Sequence, residues 1–97
     1  MTLDSFLKSL GQDGGPPEGV GPELQSLWLT KAERWDEAHD IAQDISSKMG
    51  SWIHGFLHAI EGDFSNSAYW YNRAGEPPIT AGQIDDEWER IVRSNFS

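Results

Sequence analysis

The sequence contains no cysteine. Disulfides, thiolate metal sites, iron–sulfur clusters and thiol nucleophiles are therefore excluded. Basic residues are also scarce: seven Lys and Arg stand against 16 Asp and Glu, a formal net charge of −9. Nucleic-acid affinity rests largely on Lys and Arg replacing phosphate counterions, so this balance argues against a nucleic-acid partner. It argues equally against docking on an anionic membrane surface. No apolar run approaches the roughly 18 residues needed to span a bilayer. The first twenty residues carry Asp4 and lack an uninterrupted apolar core, so no signal peptide is read and a cytoplasmic protein is expected. Gly14-Gly15 is not followed by Lys-Ser or Lys-Thr, and no Gly-x-Ser-x-Gly occurs. Neither a phosphate loop nor a nucleophile elbow is present by motif, and no cofactor is expected. No segment alternates apolar and polar residues with period two for more than a few positions, so no strand is expected.

What the chain does have is aromatic bulk. Five Trp, four Phe and two Tyr occur in 97 residues that are otherwise only 37% hydrophobic. Each such side chain buries about 150–250 Å², enough for eleven of them to anchor one small core. A domain of this size is marginal in stability unless self-association adds to it.

Helical periodicity organises the chain into an all-α domain. Leu3, Phe6, Leu7 and Leu10 mark a short amphipathic helix over residues 1–10. Residues 11–21 hold five Gly and two Pro, the composition of a flexible linker. The N-terminal helix is thus tethered, and either docks on its own domain or waits for a partner. The helical-hairpin domain spans residues 22–97. Pro22 suits a first helical position, followed by Leu24, Leu27, Trp28, Leu29 and Ala32. After a break near Arg34 come Ala38, Ile41, Ala42 and Ile45, with Ser46, Ser47 and Gly50 expected to end that helix. Ile53, Phe56, Leu57 and Ile60 make a third stripe that stops at Gly62. Asp63 is the expected N-cap of a fourth helix carrying Phe64, Ala68 and Tyr71. Ile84, Trp88, Ile91 and Val92 mark the last helix.

The pattern repeats. Ser26, Ala38, Ala42 and Ile45 recur 29 residues later as Gly55, Ser67, Tyr71 and Ala74. Small residues at such positions let two antiparallel helices approach closely, and Trp35 and Phe64 stand at matching points as wedges. This arrangement resembles the tetratricopeptide helical hairpin. The resemblance implies two hairpins over residues 22–78 and a capping helix near 83–95. The period of 29 is shorter than the family's roughly 34 residues, and Ile45 stands where a small residue is usual. Pro22 and Ser51 stand where the family has an aromatic. The segment from Ser51 to Gly75 is also similar to a family of small bacterial proteins without an assigned function. The shared residues are Trp52, His54, His58, Glu61, Asp63, Asn66, Tyr69, Trp70, Tyr71, Ala74 and Gly75.

Two constellations within that segment carry chemical interest. His54, His58 and Glu61 project from one helical stripe, about 100° round from the apolar one. The stripe borders the core, where a cleft would open. His39 holds a similar place on the preceding helix, so all three histidines of the chain can meet. Two His at i and i+4 with a carboxylate can ligate zinc or serve acid–base chemistry. The alternative is half-buried rings bonded to carbonyls, Asp63 or a Tyr hydroxyl. The second constellation is Asn66, Tyr69, Trp70 and Arg73, residue types enriched at binding surfaces. Its alternative has Trp70 packed on Trp88 and Ile91, and Arg73 paired with Glu76. Asp36, Asp40 and Asp44 read as a solvated face, and Asp85 to Glu89 as charges complementing a helix dipole.

The expected function is a non-enzymatic module that binds a protein or peptide in a groove, with a homodimer as one way to complete a short repeat array. The alternative is a metal- or small-ligand-binding enzyme built on His54, His58 and Glu61. A structural accessory domain without a ligand is a third. The expected ligand-binding residues are His39, His54, His58, Glu61, Asn66, Tyr69 and Arg73, with a concave pocket shared by at least two of His58, Glu61, Tyr69 and Arg73.

Overall fold

A computed structural model describes residues 1–12 and 14–96. Among the described residues six α-helices follow one another: α1 (Leu3–Ser9), α2 (Pro22–Lys31), α3 (Trp35–Ala42), α4 (Lys48–Ile60), α5 (Phe64–Ala74) and, after a 3₁₀ turn (Ala81–Gln83), α6 (Ile84–Ser94). The fold is all-α, and no strand occurs among the described residues. No helix among them is long and apolar enough to cross a membrane.

Local chemistry sets most boundaries. Pro22 opens α2 at its first position, and Asp63 caps α5 by accepting from the Asn66 N–H. Two ends differ from the sequence expectation. The third helix stops at Ala42, and Ser47 caps α4 by accepting from the Gly50 N–H. Gly50 therefore lies inside α4 rather than ending the helix before it. Its role is steric, because a Cβ there would collide with the Ile45 carbonyl and side chain.

Helices α2 and α3 pair as one hairpin, and α4 and α5 as another. Both turns have the same geometry. The helix closes with the Arg34 N–H on the Leu29 carbonyl in the first and the Asp63 N–H on the His58 carbonyl in the second. Each needs one left-handed residue: Gly62 (φ 83°) in the second and Glu33 (φ 61°) in the first. The small residues of the 29-residue repeat sit at the crossings. Ser26 Oγ donates to the Ala38 carbonyl at 2.8 Å. At Gly55, an added Cβ would stand 2.7 Å from Tyr71 Cδ1 and 3.0 Å from the Ser67 carbonyl.

Helix α4 is buried on nearly every side and carries the centre of the core, with Ile53, Phe56 and Leu57 almost wholly enclosed. Indole N–H groups tie the helices together across it. Trp28 donates to Ser9 Oγ, Trp35 to the Leu57 carbonyl, Trp52 to Glu87, and Trp88 to the Leu27 carbonyl. Helix α1 docks on this core through Phe6, which is fully buried. Phe64 is half exposed at its turn.

Glu87 departs from the dipole reading of the acidic run. It is 4% exposed and accepts from Trp52 Nε1 (2.9 Å), Tyr71 OH (2.8 Å) and Arg90 Nε (2.9 Å). Burial alone would raise its pKa. The Arg90, Trp52 and Tyr71 hydrogen bonds outweigh that and hold it below the ordinary 4.5. Glu76 belongs to the same network, bridging to Arg90 at 3.1 Å. It is therefore engaged by Arg90 rather than Arg73.

The two turn and crossing positions predict opposite responses to small substitutions. Left-handed backbone costs a side-chain-bearing residue about 1–2 kcal/mol, of which Gly recovers part after its larger folding entropy. Glu33→Gly is expected to raise stability by about 0.5–1 kcal/mol. Gly55→Ala is expected to lower it by about 1–3 kcal/mol, because the new methyl meets Tyr71 and backbone. Urea unfolding at pH 7 measures both.

Candidate metal centre

Helix α3 presents His39, and α4 presents His54 and His58 one turn apart. Because α4 is enclosed, its two imidazoles face α3 on one side and α5 on the other rather than an open cleft. His54 is 9% exposed, and His39 and His58 are half-buried. His39 Nε2 lies 3.0 Å from His54 Nε2, a hydrogen bond in which one ring nitrogen carries the proton and the other accepts it. One nitrogen from each of the three rings falls within 4.8 Å of the other two. The three ring centroids are 4.7, 5.0 and 5.3 Å apart.

Two indoles wall this triad. Trp35 stacks on His39, 4.8 Å between centroids at 14°, and meets His58 edge-on. Its N–H, held by the Leu57 carbonyl at 2.8 Å, fixes the ring in place. Trp70 stacks on His54 at 4.1 Å and 18°. It therefore packs on the histidines rather than on Trp88 and Ile91. Beyond Trp70 the Arg73 guanidinium lies 5.5 Å from the Trp70 ring centre and donates to the Tyr69 hydroxyl at 3.3 Å. Tyr69 is 54% exposed and packs edge-on against Trp70, so Tyr69 and Arg73 form an outer rim beyond that indole.

Glu61 and Asn66 stand closer. Glu61 Oε1 is 3.5 Å from His58 Nδ1, and Asn66 Nδ2 is 3.5 Å from His58 Nε2. His58 Nδ1 is buried without a hydrogen-bond partner. Desolvation, then the neighbouring His39 and His58, push the pKa of His54 down to about 4. His54 is accordingly a neutral imidazole near pH 7, the form that ligates metals.

The structure thus brings together His39, His54, His58, Glu61 and Asn66, and leaves Tyr69 and Arg73 one layer out. Three cavities indent the surface elsewhere, one of about 340 Å³ between Lys31, Phe56 and Trp88, a second beside Phe64 and Ile79, and a third along 33–37. None of these three is lined by His58, Glu61, Tyr69 or Arg73; the histidine site itself is a stack of rings. Sequence reasoning missed Trp35 as a wall of the site. The signal was its place four residues before His39, which puts both on one helical face. No protein-family model, curated protein or solved structure matches the chain.

The His54 environment sets a pH dependence. The unfolded chain titrates this ring near 6.5 and the folded chain near 4. The unfolded state therefore binds more protons between those values, and stability falls as pH drops from about 6.5 to about 4. The loss reaches about 3 kcal/mol. His54→Asn is expected to flatten that part of the stability–pH curve, as measured by urea unfolding at half-unit pH steps.

Proposed function

We propose that the protein binds one divalent transition-metal ion, with zinc the best chemical match, through His39, His54 and His58. The observation that supports this is the convergence of every histidine in the chain, from two helices, with one nitrogen each inside 4.8 Å. Imidazole nitrogens about 2.0–2.1 Å from a tetrahedral zinc stand about 3.4 Å from one another. The 3.0 Å contact between His39 and His54 and the wider spacing to His58 reach that value by small ring movements. The ion replaces the proton that His39 and His54 share. Imidazole suits zinc, copper and nickel.

The surroundings support the same reading. Glu61 stands beside His58, where a carboxylate orients a ligating ring and raises its basicity. Trp35 and Trp70 hold the outer faces of two rings, so the donors are positioned before the ion arrives. Three protein ligands leave one coordination position for water or another small ligand. Two hairpins resembling tetratricopeptide repeats supply the scaffold in this reading, with α4 common to the core and the site.

Cobalt and zinc titrations test the proposal. Co²⁺ is expected to give the visible absorption of a four-coordinate nitrogen site at one equivalent. Zinc at a hundredfold its Kd should stabilise the fold by about 2.7 kcal/mol, raising Tm by roughly 10–20 °C. His39→Ala, at the half-buried edge of the triad, should abolish both effects while the helical circular-dichroism spectrum is retained. A wild-type protein at pH 7.5 that shows neither cobalt absorption nor a zinc-dependent Tm overturns the reading.

A further inference from the structure

The seven residues of α1 are too few for a stable helix in water, where about 12–15 are marginal. Its order therefore comes from the face it covers. Phe6 is wholly buried, its ring 5.9 Å from that of Phe96 beyond the end of α6. Trp28 of α2 donates its indole N–H to Ser9 Oγ at 3.1 Å, and that hydroxyl in turn donates to the Phe6 carbonyl. Leu3, Leu7 and Leu10 complete a partly buried stripe against the core. The backbone hydrogen bonds of residues 2–12 among the described residues all stay within that segment. The helix is thus held by side chains, chiefly one aromatic plug and one indole hydrogen bond. The following segment over 11–21 is rich in Gly and Pro, and its described residues are largely exposed. It is fastened through the Arg34 guanidinium on the Gly14 carbonyl and through the buried Val20.

We propose that α1 is an exchangeable arm, and that the Trp28–Phe96 face beneath it is a docking site for an amphipathic helix of a partner protein. The chemistry of that helix is given by the resident one: apolar residues at the spacing of Leu3, Phe6, Leu7 and Leu10, with an aromatic at the second position to fill the Phe6 hole. It also carries a residue able to accept from the Trp28 indole where Ser9 now does. With a net charge of −9 on this chain, a partner helix with basic residues on its outer face is steered to it and α1 is not. Tethering gives α1 an effective concentration of the order of millimolar, so a helix in trans docks only by outcompeting it. The site is separate from the histidine triad, and the inference stands whether or not that triad takes a metal.

The probe is a fluorescently labelled peptide spanning residues 1–12, read by anisotropy. It is expected to bind full-length Phe6→Ala at least about tenfold more tightly than the wild-type chain, where the resident arm competes. The same peptide with Phe6→Ala should lose binding, and with Asp4→Lys it should bind more tightly at low salt. Equal affinity for the two proteins, or no binding to a folded Phe6→Ala chain, overturns the proposal. Native-state hydrogen exchange on the wild type decides independently of that variant's stability. The amides of Leu7 to Leu10 are expected to exchange at least about tenfold faster than those of Ile53 to Leu57, through an opening insensitive to low denaturant. Exchange of α1 only through global unfolding overturns it.

Discussion

Gly55 leaves α4 without a side chain where α5 crosses it, and much of the molecule follows from that gap. Any Cβ there would press on Tyr71, on Trp70 Cβ and on the Ser67 carbonyl. The resulting close approach places two neighbouring residues of α5 on opposite duties. Trp70 reaches across to stack on His54, and Tyr71 sends its hydroxyl to Glu87. The histidine triad and the buried carboxylate are thus two consequences of one crossing. A wider crossing would withdraw the indole from the triad and the phenol from the carboxylate together.

The two polar clusters differ in how completely they are satisfied. Glu87 accepts from an indole, a phenol and a guanidinium, and Arg90 continues the network to Glu76. Such a closed network specifies structure and leaves nothing over. The histidine cluster is held more loosely, by one imidazole–imidazole hydrogen bond at 3.0 Å, a 3.5 Å contact from Asn66 to His58 Nε2, and a His58 Nδ1 that makes no hydrogen bond and faces Glu61 at 3.5 Å. That contrast separates a framework cluster from a candidate binding cluster within the same small core.

Much of the helical layout was legible because its signals are local. Apolar period, Pro22, Asp63 and Gly62 mark ends and faces within a few residues of each other. The 29-residue repeat also showed which small residues meet, since Ser26 faces Ala38 and Gly55 faces Ser67. His54 and His58 were paired by their spacing of four, and His39 by its angular place on α3. The walls of the site were harder to read, because stacking across helices depends on crossing distance and angle. Trp70 therefore looked like a surface or α6-facing residue. Glu87 was hidden by a competing local explanation: acidic residues in a first turn need no other cause. Its position three after Ile84 and four before Ile91 nevertheless lies on the apolar stripe, and that is the signal its burial expresses. Gly50 was misplaced for a similar reason, since a glycine near a helix end and a glycine under a neighbouring chain look alike in sequence.

The four indole hydrogen bonds that cross between elements span 19, 22, 35 and 61 residues. These are separations at which small proteins often place disulfides, and here the work is done by packing. Eight cysteines admit 105 pairings, of which one is native. An indole, by contrast, meets its acceptor only when the ring is seated in its own niche, so connectivity and packing are the same event. Nothing is cross-linked in the unfolded chain, and no oxidant or isomerase is needed to sort partners. The same architecture therefore forms and persists under reducing and oxidising conditions alike.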